Sequence, residues 1–123
     1  MKSSWIQLGV ILLLAGLMLS YSNAWGADWK EFADATTGTF YYDATGISSP
    51  SAGMTRAWIH NATKHETSLI EFNCKGGSYR VLDVVEYDAA GRIKSRQDYH
   101  DNPNWMTISP KSVPESLLPI VCH

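Results

Sequence analysis

Two cysteines in 123 residues are too few for a disulfide-rich scaffold, and no Cys-x-x-Cys pair is present to serve as a redox centre or half of a zinc site. Ten basic side chains face twelve acidic ones. Without a basic excess, the attraction that draws a protein to nucleic acid or to an acidic membrane surface is missing. There is no Gly-rich phosphate loop and no Gly-x-Ser-x-Gly nucleophile elbow. The length bounds one small domain and excludes a multidomain enzyme. Nor is there an apolar run of the ~17 to 25 residues that cross a bilayer.

One shorter apolar run, Leu8 to Leu19, follows the single charge of Lys2 and precedes polar Ser20, Ser22 and Asn23. That is the layout of a secretory signal peptide over residues 1–24. Small side chains at Ser22 and Ala24 place the expected cut between Ala24 and Trp25. No cysteine follows the run to take a lipid, so the product, residues 25–123, is expected to be soluble, exported to the periplasm or beyond, and without a membrane anchor. Fifteen of the apolar residues belong to the first 24, and loss of Lys2 leaves nine basic side chains against twelve acidic ones. The remaining domain has a small core, so a covalent aid is welcome.

Cys74 and Cys122 supply one. An exported chain with an even cysteine count forms disulfides, and this pair would close a loop of about 49 residues, worth on the order of 4 kcal/mol in the chain-entropy model.

From Trp29 onward, short β-favourable runs alternate with turn signals, the rhythm of an antiparallel meander. The strands read as Trp29 to Ala33, Thr39 to Asp43, Thr55 to Asn61, Ser68 to Asn73, Tyr79 to Tyr87 and Ile93 to Tyr99. The turns are Thr37-Gly38, the Pro50-containing loop Ile47 to Gly53, Lys64-His65, Gly76-Gly77 and Asp88 to Gly91. Strict alternation puts Tyr79, Val81, Asp83, Val85 and Tyr87 on one face of the fifth strand, with Arg80, Leu82, Val84 and Glu86 on the other. Its middle is apolar on both sides, so both faces of the sheet need cover. In the tail, Ser112 and Glu115 form a capping-box pattern ahead of a helix carrying Val113, Leu117 and Leu118, which Pro119 should kink or end. The second face is left to sheet curvature, to an N-terminal segment bearing Trp25, Trp29 and Phe32, or to another subunit.

Several stretches in this order resemble the surface-adhesin protein E family of small exported bacterial proteins. They are Phe40-Tyr-Tyr-Asp43, Arg56-Ala-Trp-Ile59, Phe72-Asn-Cys-Lys-Gly-Gly-Ser-Tyr-Arg80 running into Tyr87-Asp-Ala-Ala-Gly91, and Trp105-Met-Thr-Ile-Ser-Pro110 ahead of Val121-Cys122. The resemblance implies an α+β, mainly β fold: a curved six-stranded antiparallel sheet with a short C-terminal helix tethered by a disulfide. It also implies dimerisation and, in pathogens, adhesion to host matrix or serum proteins. The family's founding adhesin is lipid-anchored, and this chain lacks the cysteine for that anchor. No binding residue carries over.

His60 and His65 flank a hairpin loop beside Glu66, and His100 is a conceivable third metal ligand, but no helical His-x-x-x-His spacing or tight Cys/His cluster occurs. All four histidines, His123 included, read as surface residues, and no metal or other cofactor is expected. The segment Asp98 to Trp105 gathers carboxylates, amides and aromatics without the closing Glu of a calcium loop; it is an exposed polar loop with Trp105 turned inward, and the first place to seek a ligand patch. Asn61-Ala-Thr63 matches a glycosylation sequon. Asp83 and Glu86 fall on opposite strand faces and cannot form a catalytic dyad; Asp83 should pair with Arg56, Arg80 or Lys94. No catalytic residue is assigned. The expected function is a non-enzymatic protein-binding, adhesin-like module of a bacterial envelope, its partner a host-matrix or envelope protein or a second copy of the chain. The alternative is a soluble periplasmic accessory protein that binds a small ligand or an envelope partner without adhesive role.

Overall fold

Alternating β-branched and aromatic residues from Trp29 to Asp98 fold into one antiparallel sheet closed off by a tail helix. The computed structural model describes residues 27–101 and 104–123; the expected cleavage site at Ala24 and Trp25 lies outside them. The strands are β1 (Trp29–Ala35), β2 (Gly38–Asp43), β3 (Ser48–Ser51), β4 (Met54–Asn61), β5 (Glu66–Asn73), β6 (Ser78–Tyr87), β7 (Ile93–Asp98) and β8 (Met106–Thr107), followed by helix α1 (Val113–Val121). Six of them run in the order β1-β2-β4-β5-β6-β7, and all pairings are antiparallel. The other two are short. β3 pairs with the first half of β4, in line with β2 on the second half. β8 pairs with the start of β6, in line with β7. The segment expected as a loop therefore holds a strand, and Pro50 is tolerated there because β3 has no partner on its outer side among the described residues.

The helix lies on one face of this sheet. Leu117 and Val121 join Ala57, Ile59, Ile70 and Phe72 in a continuous buried cluster, with Phe32, Phe40 and Tyr42 packed at its margin. Ring contacts of Phe32 with Phe40 and Tyr42 bring β1 into that core. Ser112 caps the helix by accepting from the Glu115 amide, 3.3 Å, and the Glu115 carboxylate accepts from the Lys111 amide, 3.0 Å. The capping box is thus formed, with its return bond one residue further back than the usual pattern. Pro119 does not end the helix, which continues to Val121. In so short a helix the proline forfeits one backbone bond, and the Cys122 amide still reaches the Leu118 carbonyl at 2.7 Å. Cys74 and Cys122 are bonded, 2.03 Å between sulfurs, and fasten the tail to the end of β5.

A bulge in β6 breaks the strict alternation. Ile70 pairs with Val81 but Leu69 pairs with Asp83, leaving Leu82 as the extra residue, fully buried. Beyond the bulge, every side chain changes face relative to a period-two reading. Asp83, Val85 and Tyr87 consequently share a face with Arg80, while Val84 and Glu86 share the helix face with Val81.

Candidate binding face

The face opposite the helix is covered by no other element among the described residues. Register places Trp29, Tyr41, His60, Trp58, Arg56, Glu71, Arg80 and, beyond the bulge, Asp83, Val85 and Tyr87 on it. Trp, Tyr and Arg are the residue types that dominate binding energy at protein interfaces. Despite having no cover, this face contains Glu71 at 3% and Asp83 at 1% exposure. Their arginine partners and the side chains of the neighbouring strands enclose them.

Both carboxylates are fully paired. Glu71 sits between two arginines, its Oε2 accepting from Arg56 Nε at 2.7 Å and its Oε1 from Arg80 Nη2 at 2.8 Å. Burial alone would raise the Glu71 pKa; the hydrogen bonds and charges of Arg56 and Arg80 outweigh it and hold the carboxyl below its ordinary value. Asp83 pairs with Arg96, 2.6 Å, rather than with Arg56, Arg80 or Lys94. The β6–β7 register decides this: Arg96 stands opposite Val85, on the same face as Asp83 and one diagonal away. Trp105 is not turned inward. It remains 37% exposed, with the Arg80 guanidinium 4.7 Å from its ring centroid, so it extends the open face past Glu71.

At the other end, four strands and two turns meet around a cavity of about 410 Å³ lined by Trp29, His60, His65, Thr67, Tyr87, Asp88, Ala89 and Gly91. The β4–β5 hairpin delivers His65 in a left-handed conformation, φ 53°, and its carbonyl accepts from the Tyr87 amide at 2.8 Å, locking two hairpin ends together. His60 Nδ1 lies 2.9 Å from Thr67 Oγ1 and its ring 5.6 Å from that of Trp29. Burial, and after it the charge of nearby His65, lowers the His60 pKa, so this imidazole is neutral near pH 7. The Asp88 carboxylate caps its own turn, Oδ1 accepting from Ala90 and Arg92 amides at 2.9 Å each, and Gly91 closes the turn at φ 81°.

Other sequence candidates are dispersed. His60 and His65 come together in this cavity, whereas His100 is bound to Asp98 at 2.5 Å on the edge strand's far end. Among the described residues no group of three or more His, Cys, Asp or Glu is arranged to hold a metal ion. The Asp98 to Trp105 segment, described except at 102 and 103, splits between an Asp98–His100 turn and the Trp105 stack on Arg80. Asn61 is buried and fully committed: its Nδ2 donates to the Thr37 carbonyl and its Oδ1 accepts from the Thr63 and Lys64 amides. In the folded state it is no acceptor for a sugar. The cavity itself escaped the sequence reading, because Trp29 and Tyr87 reach His60 only through strand order and the bulge.

Residues 29–123 match the family model of surface-adhesin protein E. The chain belongs to this family. Comparison with curated proteins and with solved structures returns no match. The family match spans the whole sheet, the helix and both cysteines, so the open face and its cavity are parts of the adhesin E-like domain itself. Among the described residues no helix is long and apolar enough to cross a membrane.

Proposed function

We propose that this chain is an exported, non-enzymatic adhesin-like module that binds a protein partner through the open face of its sheet. The family match over residues 29–123 carries the reading. Two further features support it. The Cys74–Cys122 disulfide belongs to an oxidising compartment outside the cytoplasm, in keeping with removal of residues 1–24 after Ala24. Trp29, Tyr41, Trp58, Arg80 and Trp105 gather on one side of the molecule, the composition of an interface centre.

A second reading is a periplasmic accessory protein with a small ligand or an envelope partner, favoured by the cavity, whose 410 Å³ falls in the range of small-molecule sites. Location separates the two. Protease treatment of intact cells should degrade a displayed adhesin; survival of the protein, together with its recovery in a periplasmic extract, would sink the first reading and support the second.

A further inference from the structure

The end-of-sheet cavity has a chemistry of its own, and it does not depend on where the protein resides. Its walls are aromatic on three of the contributing elements: Trp29 from β1, His60 from β4 and Tyr87 from the end of β6. Trp29 is 40% exposed, so the indole is available to a ligand rather than consumed by the core. His60 contributes a neutral ring face held in place by Thr67. Asp88 supplies the one carboxylate of the lining, anchored by two backbone amides and thus fixed in position, beside the imidazoles of His60 and His65. Around Trp29 the field is also negative: Asp43 is its cross-strand partner, and Glu31 shares its face. Lys64 and Arg92, in the two adjoining turns, are not part of the lining.

We infer that this cavity binds a small organic cation, an alkylammonium or guanidinium group seated against Trp29 and Tyr87 with Asp88 as its counter-charge. Aromatic faces attract such cations through their quadrupole, and desolvation in a recess strengthens the attraction. A bare metal ion has no ligand set here among the described residues, whereas a cation with an apolar surface satisfies both the rings and the carboxylate. The cavity has room for a complete choline head group or for an arginine or lysine side chain of a partner.

The test is an amide and indole NMR titration of the isotopically labelled protein, disulfide intact, at pH 8 and constant ionic strength. Three probes are compared: choline, N-acetylarginine amide, and 3,3-dimethylbutan-1-ol, which has the shape of choline without its charge. At least one cation should shift Trp29, His60, Tyr87 and Gly91 saturably and bind about tenfold more tightly than the neutral alcohol. The tighter of the two cations identifies the source as a head group or a basic side chain. Asp88→Asn keeps the Oδ1 acceptor that closes the turn and should weaken the cation several-fold without changing the alcohol; Trp29→Leu should weaken the cation while leaving distant resonances in place. Equal binding of the alcohol, shifts confined to other parts of the sheet, or no saturation by either cation would overturn the assignment.

Discussion

Glu71 is the residue whose removal should cost most for the least change in shape. It is buried between Arg56 and Arg80 and satisfies both. Glu71→Gln leaves two partly exposed guanidiniums without their shared counter-ion and should lower stability by about 2 to 4 kcal/mol at pH 7, read from urea unfolding. The pH dependence has a definite sign. Because the folded-state pKa of Glu71 lies below its unfolded value, its contribution is complete above the ordinary carboxylate range and is lost as pH falls through the lowered folded pKa; wild type and variant should converge in acid. His60 acts in the same direction at higher pH. Its folded pKa is below the ordinary imidazole value of 6.5, so the folded state resists protonation and stability should fall as pH drops from about 6.5 toward that lower value. His60→Gln should flatten this part of a melting-temperature profile. Gly38 is a steric case: at φ 143°, an added Cβ would lie 2.3 Å from Asn61 Oδ1. Gly38→Ala should cost roughly 2 kcal/mol or more by displacing the side chain that organises the β4–β5 turn. The turn glycines were readable from local sequence, while the need for a glycine beside Asn61 depends on a packing partner 23 positions away.

At the scale of elements, the long strands and the helix were legible because each carries its own signal. β4 alternates buried and half-exposed residues along its whole length, and the Ser112 cap with Glu115 three residues later announces α1. Ser112→Ala should therefore destabilise the docked helix by about 1 kcal/mol, measured as a loss of unfolding free energy with an unchanged denaturant slope. What was not legible follows equally from physics. β3 and β8 have four and two residues, too few for a periodic signal, and they exist because β4 and β6 present free backbone groups beyond the ends of β2 and β7. The bulge at Leu82 leaves no mark in composition. It nevertheless decides that Asp83 and Tyr87 lie on the face of Arg80 and His60, with Tyr87 at the cavity.

For the whole molecule, the disulfide is the long-range constraint. It joins the end of β5 to the residue after α1 across 48 positions and holds Leu117 and Val121 against the sheet. Reduction, or the Cys74→Ser and Cys122→Ser pair, should lower stability by about 4 kcal/mol, with the unfolding midpoint shifting accordingly. The sheet should survive long enough to be observed, with the helix the first element to lose amide protection from hydrogen exchange. The same architecture gives one face of the sheet to the helix and leaves the other without a covering element among the described residues, the face through which the proposed adhesin-like binding would act.

Composition, turn chemistry and the number of cysteines were enough to specify one small antiparallel domain with a capped tail helix and a single possible bond, since each of these depends on local conformational preference or on counting. Which side chains stand together on the open face is a different matter. Strand order puts Trp29 beside His60, a one-residue bulge brings both Tyr87 and Asp83 to the face of Arg80 and His60, and arginines from neighbouring strands bury two carboxylates; non-local pairing and packing set these positions, and no window of sequence contains them.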